Sequence, residues 1–311
     1  MSIIVEYYIM YKKYRKITAI IFVFPAIIVF LIAFLYPVFR TGIMSLFYVE
    51  TISDSIFNWK FVGIDNFVFL FKSNLFLKSL KNVFIIWLIG GLIVFSISLS
   101  FASILTFSNM KLKSFFKTLI YLPNIISSVA LATMWIYYFY QPDYGFLKSF
   151  FTLVGLTQLA NIKWASPDYI FMSMLIAYSF SNVGYFMVMF CASMESIPST
   201  LYDSASIDGA NSFDKFFKIT IPLILNAIKS AIVIWSIEAF GMFVWSQIFS
   251  PLDPEPGTIT PKIYMYFQLF GSNLIVSERN AGLGASICVI LSVIALFSFL
   301  LVNLFFRDNN K

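Results

Sequence analysis

Histidine is absent from the 311-residue chain, and its absence removes whole classes of chemistry. Without an imidazole there is no Ser-His-Asp or Cys-His nucleophilic site, no histidine general acid or base, and no zinc site of the histidine-bearing kinds. Cysteine is nearly absent too. Cys191 and Cys288 stand alone inside apolar runs, with no CxxC spacing to point to a disulfide framework or a thiolate metal site. Charged residues make up only 12% of the chain, against about 25% in a soluble domain, so an ordinary water-facing surface is excluded. No GxxxxGK[ST] phosphate loop occurs, which excludes nucleotide hydrolysis by a P-loop of the chain's own. Nothing in the sequence calls for a cofactor or a metal.

What remains is 60% hydrophobic, and its arrangement is informative. A helix needs roughly 20 mostly apolar residues to cross the hydrocarbon core of a bilayer. Uncharged runs cover 17–39, 82–110, 118–142, 169–194 and 280–306, and 230–252 is interrupted only by Glu238. These runs lack the alternation of barrel strands, and open strands leave backbone groups unpaired in lipid, so the pattern predicts an all-α membrane protein with six transmembrane helices. The first run is long for a signal-peptide core and no small-x-small site follows it, so it reads as a retained helix.

Lys12, Lys13, Arg15 and Lys16 precede helix 1, and Lys111, Lys113 and Lys117 fill the connection between helices 2 and 3. Basic residues in short segments mark the cytoplasmic side, so both termini are expected there, together with the connection between helices 4 and 5. The net charge of +6 needs no nucleic-acid partner, because the basic cluster sits where a helix anchor would place it. The organisation expected is a basic segment over 1–16, helix 1 over 17–39, an outer connection over 40–81, a core over 82–306 and a cytoplasmic tail over 307–311.

The connection over 195–222 differs from the others. Thr200 followed by Asp203 resembles a capping box and predicts a short helix starting there. Leu201, Ala205 and Asp208 share one face of it, and Gly209 supplies a left-handed closing residue. A second helix is expected from Asn211 or Ser212, carrying Phe213, Phe216, Phe217 and Ile219 up to Pro222 at the mouth of helix 5. The outcome is a helix-Gly-helix elbow on the cytoplasmic face.

At these residues the chain resembles a known family. Leu201-Tyr202-Asp203-Ser204-Ala205-Ser206-Ile207-Asp208-Gly209-Ala210, followed by Ile219-Thr220-Ile221-Pro222, is similar to the coupling loop of binding-protein-dependent ABC importer permeases. That loop is written Glu-Ala-Ala, a spaced Gly and a closing Ile-x-Leu-Pro. Here Asp203-Ser204-Ala205 stands for Glu-Ala-Ala, a shorter and more polar opening, and Gly209 is in register. The Ile-Asp-Gly-Ala form resembles the carbohydrate-uptake branch. Phe61-Val62-Gly63-Ile64-Asp65-Asn66-Phe67 resembles a segment of that branch's first permease subunit, and Asn280-Ala281-Gly282-Leu283-Gly284-Ala285 is a looser echo of another. The Gly-Gly-Pro common after helix 5 is replaced by Asp253-Pro254-Glu255-Pro256-Gly257.

The resemblance implies a type I permease fold and a transport subunit without catalysis of its own. The implied partners are a second, homologous permease, two ABC ATPase subunits that hydrolyse ATP, an extracellular substrate-binding protein, and a sugar or sugar derivative as cargo, with the chain itself a multi-pass protein of a bacterial cytoplasmic membrane. A non-sugar solute such as glycerol phosphate or a polyol is the alternative cargo. It also implies that Leu201, Tyr202, Asp203, Ser204, Ala205, Asp208, Gly209, Ala210 and Pro222 carry the contact with the ATPase.

A substrate path is read from the residues themselves. Ionisable groups at membrane depth are costly and mark function, and Glu238 lies near the centre of its window. Trp235, Glu238, Met242 and Trp245 share one helical stripe, as do Tyr178, Asn182, Tyr185 and Met189 on helix 4. Aromatic faces beside a carboxylate and an amide suit a sugar, so Asn182, Tyr185, Glu238, Met242 and Trp245 are the candidate path. Hydrogen bonding of Asn182 and Glu238 to neighbouring helices is the competing reading. An intramembrane enzyme would want a second carboxylate at that depth, and a channel or scaffold has no use for the elbow.

Overall fold

The computed structural model describes residues 18, 20–108, 110–250, 255–271 and 279–305. The basic segment over 1–16, the tail over 307–311 and Asp253-Pro254 of the outer loop lie outside them.

Among the described residues, five helices are long and apolar enough to cross a membrane: α1 (Ile20–Met44), α3 (Asn74–Phe107), α6 (Ile170–Glu195), α8 (Leu225–Ile248) and α10 (Ala281–Phe305). A sixth span comes from a bent pair, α4 (Lys113–Ile125) and α5 (Ser128–Phe139), whose axes meet at 96°. The described parts of the expected windows are thus largely helical, with two corrections, the first being that the run over 118–142 is not one straight helix. Pro123 lies inside α4, where it removes one backbone donor and crowds the preceding turn, and α4 ends two residues later. Ser127 then caps α5, its Oγ accepting from the Ala130 amide at 3.3 Å. A second correction concerns α8. Its regular helix over Leu225–Phe240 stops and resumes as Val244–Ile248, so the window over 230–252 is interrupted at Gly241–Phe243.

The spans differ in what surrounds them. The most apolar stretch of α6 is 67% buried inside the chain and that of α1 is 0% buried, yet α6 is the least apolar of the five. A helix surrounded by protein can carry Ser, Tyr and Asn, whereas one facing lipid needs only apolar side chains. The central helix α6 packs against α3 and α4, and α10 gathers α1, α8 and α9 (Pro261–Phe270). Gly184 makes the closest crossing possible, since a Cβ there would lie 2.3 Å from the Ile120 carbonyl oxygen of α4. Helices α3 and α8 are locked by two indoles: Trp235 Nε1 donates to the Trp87 carbonyl at 2.7 Å, and Trp87 Nε1 donates to Ser236 Oγ at 2.8 Å. Each such bond contributes about 1 kcal/mol net.

The connection after α1 is more structured than a loop. Strands β1 (Phe47–Tyr48) and β2 (Lys60–Phe61) pair antiparallel, Phe47 opposite Phe61, and lead into α2 (Asp65–Lys72). Helix α3 begins at Asn74, ahead of the uncharged window at 82. Buried Asn66 donates from Nδ2 to the Ser45 and Phe47 carbonyls, both at 2.9 Å, and Ser286 of α10 donates to the same Ser45 carbonyl at 3.0 Å. The two shorter segments of family resemblance, at 61–67 and 280–285, meet at the Phe47 carbonyl, which accepts from Asn66 and lies too close to Gly282 for a Cβ to fit.

Candidate functional site

Two regions bear on function, and α6 and α8 connect them. The first is the elbow over 195–222. Its first helix, α7 (Ser199–Ile207), starts one residue before the expected position. Pro198 is its N-cap and no side chain caps it, so Thr200 and Asp203 lie within the helix and the expected capping box is absent. The closing turn is as expected. Gly209 has φ +80°, the Ala210 amide donates to the Ala205 carbonyl at 2.9 Å, and the Gly209 amide donates to the Ser206 carbonyl at 3.2 Å. These are the two bonds of a Schellman closure, which satisfy carbonyls that the helix end leaves free. Asn211 caps the second segment, its Oδ1 accepting from the Asp214 amide at 2.9 Å; a helical turn over Ser212–Lys215 passes through a π turn, Phe216–Thr220, into Ile221–Leu223 with Pro222 at its start.

The elbow is held to the bundle on one side and bare on the other. Tyr202 Oη and Thr220 Oγ1 share a 2.9 Å hydrogen bond, and the Tyr202 ring packs 4.9 Å from that of Phe107 at the end of α3. Burial pushes the Tyr202 phenol above its usual 10, so it stays protonated. Lys215 Nζ donates to Ser206 Oγ at 2.6 Å and bridges the two arms. Lys218, paired with Asp214 at 2.7 Å, holds that carboxyl below the ordinary range. An ion pair between Lys117 and Glu195 ties α4 to the end of α6 beside the elbow. On the open side Leu201, Ile207, Phe213 and Phe217 are exposed, Ile207 by 87%. Asp203, Ser204, Asp208 and Gly209 are exposed as well, while Ala205 and Ala210 are partly buried.

The second region is a cavity of about 390 Å³ bounded by both helix interruptions, the α4–α5 bend and the Gly241–Phe243 break. It brings together all five residues of the candidate path: Asn182 and Tyr185 from α6, and Glu238, Met242 and Trp245 from α8. Two members of the stripes fall elsewhere. Trp235 is 1% exposed and belongs to the core, and Met189 packs against the same core. The break at Gly241–Phe243 lies between Trp235 and Trp245, so the two do not stand on one continuous helix. The Met242 carbonyl freed by the break accepts from Thr260 Oγ1 at 3.0 Å.

Two features of this cavity lie outside the candidate path, although the helix 4 stripe contains Tyr178. Tyr178 lines it with its hydroxyl buried and unpartnered, its ring 5.5 Å from Trp235 and 5.8 Å from Trp245. The α4–α5 bend supplies Asn124 and Ser128, and the signal available for it was Pro123 followed by Ser127-Ser128 inside an apolar run. The competing role for the two polar path residues finds no support among the described residues. Asn182 Nδ2 bonds only within its own helix, to the Tyr178 carbonyl at 2.9 Å and Ser181 Oγ at 3.1 Å. Glu238 is exposed to the cavity, with no hydrogen bond or ion pair.

Comparison with known proteins shows the family and the fold. A family model described as "Binding-protein-dependent transport system inner membrane component" matches residues 96–310. The chain is 26% identical over 249 residues to the diacetylchitobiose uptake system permease protein NgcF of Streptomyces coelicolor, covering 77% of this chain and 69% of that one. It is 34% identical over 246 residues to the probable ABC transporter permease protein YesP of Bacillus subtilis, covering 78% of each. To the lactose transport system permease protein LacF of Rhizobium radiobacter it is 27% identical, over 82% of this chain and 84% of that one. In structure it superimposes with a TM-score of 0.79 on a chain of a bacterial ABC transporter involved in the import of the acidic polysaccharide alginate. That match has 21% identity and spans 96% of this chain and 100% of the other, which establishes the shared fold.

Proposed function

The chain belongs to the family of binding-protein-dependent transport system inner membrane components, and from that membership we propose that it is one of two membrane subunits of an ATP-driven importer for a sugar or sugar derivative. An extracellular binding protein delivers the cargo, a second, similar permease completes the path, and two separate subunits hydrolyse the ATP. The elbow faces those subunits on the cytoplasmic side. One observation carries the reading: α6 and α8, which wall the cavity, both run to the elbow. From Asn182 to Glu195 a helix spans roughly 20 Å, so a displacement of α7 is passed along a single rigid element to the cavity. The Lys117–Glu195 pair brings α4 along, and α4 ends at the bend that forms the opposite wall. The bend and the α8 break are where the levers flex, because there the helical hydrogen bonding is already interrupted.

Reconstitution tests this. Purified alone, the chain should bind no ATP and move no solute. With its partner permease, ATPase subunits and loaded binding protein, it should support ATP-dependent uptake. Vectorial uptake by the single chain in proteoliposomes would overturn the proposal.

A further inference from the structure

The cavity is chemically one-sided. Among the described residues that line it, Glu238 is the only one with a formal charge, and no cation answers it. Two of its neutral donor groups are engaged within the α6 wall. Ser181 Oγ donates to the Tyr178 carbonyl at 2.7 Å, and Asn182 Nδ2 is spent on the same carbonyl and on Ser181. The α6 wall thus keeps the Asn182 Oδ1 acceptor, which takes no hydrogen bond from the described residues, together with the Tyr178 and Tyr185 hydroxyls, none of which carries a positive charge. Aromatic side chains, Tyr185 and Trp245 among them, form much of the remaining surface. Lys262 Nζ lies 3.4 Å from where a Cβ of Gly241 would lie and is not among the residues that line the cavity.

We infer that this cavity discriminates by cargo charge, with Glu238 as the determinant: it admits hydroxyl-rich or amine-bearing sugars and rejects sugars that carry a carboxylate or phosphate. The inference rests on the transport reading and narrows its substrate class. A sugar hydroxyl or ammonium donates to the Glu238 carboxylate and to Asn182 Oδ1, and an ammonium gains further from the neighbouring rings. A uronate placed there sets two carboxylates together with no positive group among the described lining residues.

The test uses the assembled transporter in detergent, without binding protein, so that only the membrane cavity selects. Binding of three matched trisaccharides, of glucose, glucosamine and glucuronate, is followed by tryptophan fluorescence. The expected order is glucosamine first, glucose next and glucuronate at least tenfold weaker than glucose. Glu238→Gln should bring glucuronate to within about threefold of glucose, while Glu238→Asp keeps the original order, and size-exclusion profiles confirm assembly of both variants. Glucuronate binding as well as glucose in the unaltered complex, or a gap unchanged in Glu238→Gln, overturns the charge inference alone. Binding of none of the three overturns the sugar reading itself.

Discussion

Gly184 and Gly209 are both required, for opposite physical reasons, and they separate the two functional regions. Gly184 sits in ordinary helix, but a Cβ there would meet the backbone of α4, 2.3 Å from Ile120 O and 2.7 Å from Tyr121 Cα. Gly209 has open space around it and a φ of +80° that side chains resist. The cavity wall is thus built by contacts between helices distant in sequence, and the elbow by hydrogen bonds between residues a few positions apart. Damage to the first should cost assembly, and damage to the second should cost coupling.

The largest effect is expected from Gly184→Val. Backbone cannot move aside as a flexible side chain would, so α6 and α4 must separate, with an overpacking cost of about 3 kcal/mol or more. Assembled complex recovered by size exclusion from solubilised membranes should fall severalfold. Near-normal recovery would show that the crossing is looser than the structure places it.

Gly209→Pro ranks next and strikes the other region. Proline locks φ near −65° and removes the amide that bonds Ser206, so the Schellman closure is lost at an exposed site that supports no core packing. Assembly should persist while uptake drops at least tenfold and ATPase activity ceases to respond to loaded binding protein. Unchanged stimulation and uptake would remove the elbow as the transmitting element.

The same contrast explains what was legible in the sequence. The elbow was, because Gly209 and Asn211 act through their own neighbours, and a left-handed residue followed by a capping side chain is local chemistry. The misplaced start of α7 shows the limit: Thr200 and Asp203 have capping composition, but Pro198 already holds the extended geometry that begins the helix. Six apolar spans were legible from charge alone. The bend between α4 and α5 and the break at Gly241–Phe243 were not, because an interrupted helix and a continuous one have the same apolar composition. Their freed groups are satisfied from far along the chain, Thr260 for Met242 being one example. The five residues picked out by depth and spacing do line one cavity. Tyr178 stood in the same stripe, and its buried, unpartnered hydroxyl shows only in the packing of α6 on α8.

Trp235 and Glu238 share a stripe in sequence and should part in experiment. Trp235→Phe removes the Nε1 donor to the Trp87 carbonyl and should cost about 1–2 kcal/mol, read as less assembled complex with normal activity per complex. Glu238→Gln keeps the volume, loses the charge and disturbs no recorded bond, so uptake per assembled complex should fall several-fold with assembly intact. The reverse pattern for Glu238 would make it a packing residue and remove Asn182 from the path with it.

The smallest effect is expected at Tyr202, and it bears on how firmly the elbow is joined to the bundle. Tyr202→Phe keeps the ring against Phe107 and removes only the hydroxyl that bonds Thr220, a residue that is fully buried. Thr220 Oγ1 retains its bond to the Lys215 carbonyl at 3.3 Å, so no buried polar atom is orphaned and the cost stays near 0.5–1.5 kcal/mol. That bond joins α7 to the turn that leads into α8, the second lever to the cavity. Its loss should therefore leave assembly and basal ATPase activity unchanged and raise the number of ATP molecules hydrolysed per sugar imported about twofold. Tyr202→Ala, which also removes the ring contact with α3, should raise that ratio further. An unchanged ratio in both variants would mean that motion passes from the elbow through α6 and the Lys117–Glu195 pair alone.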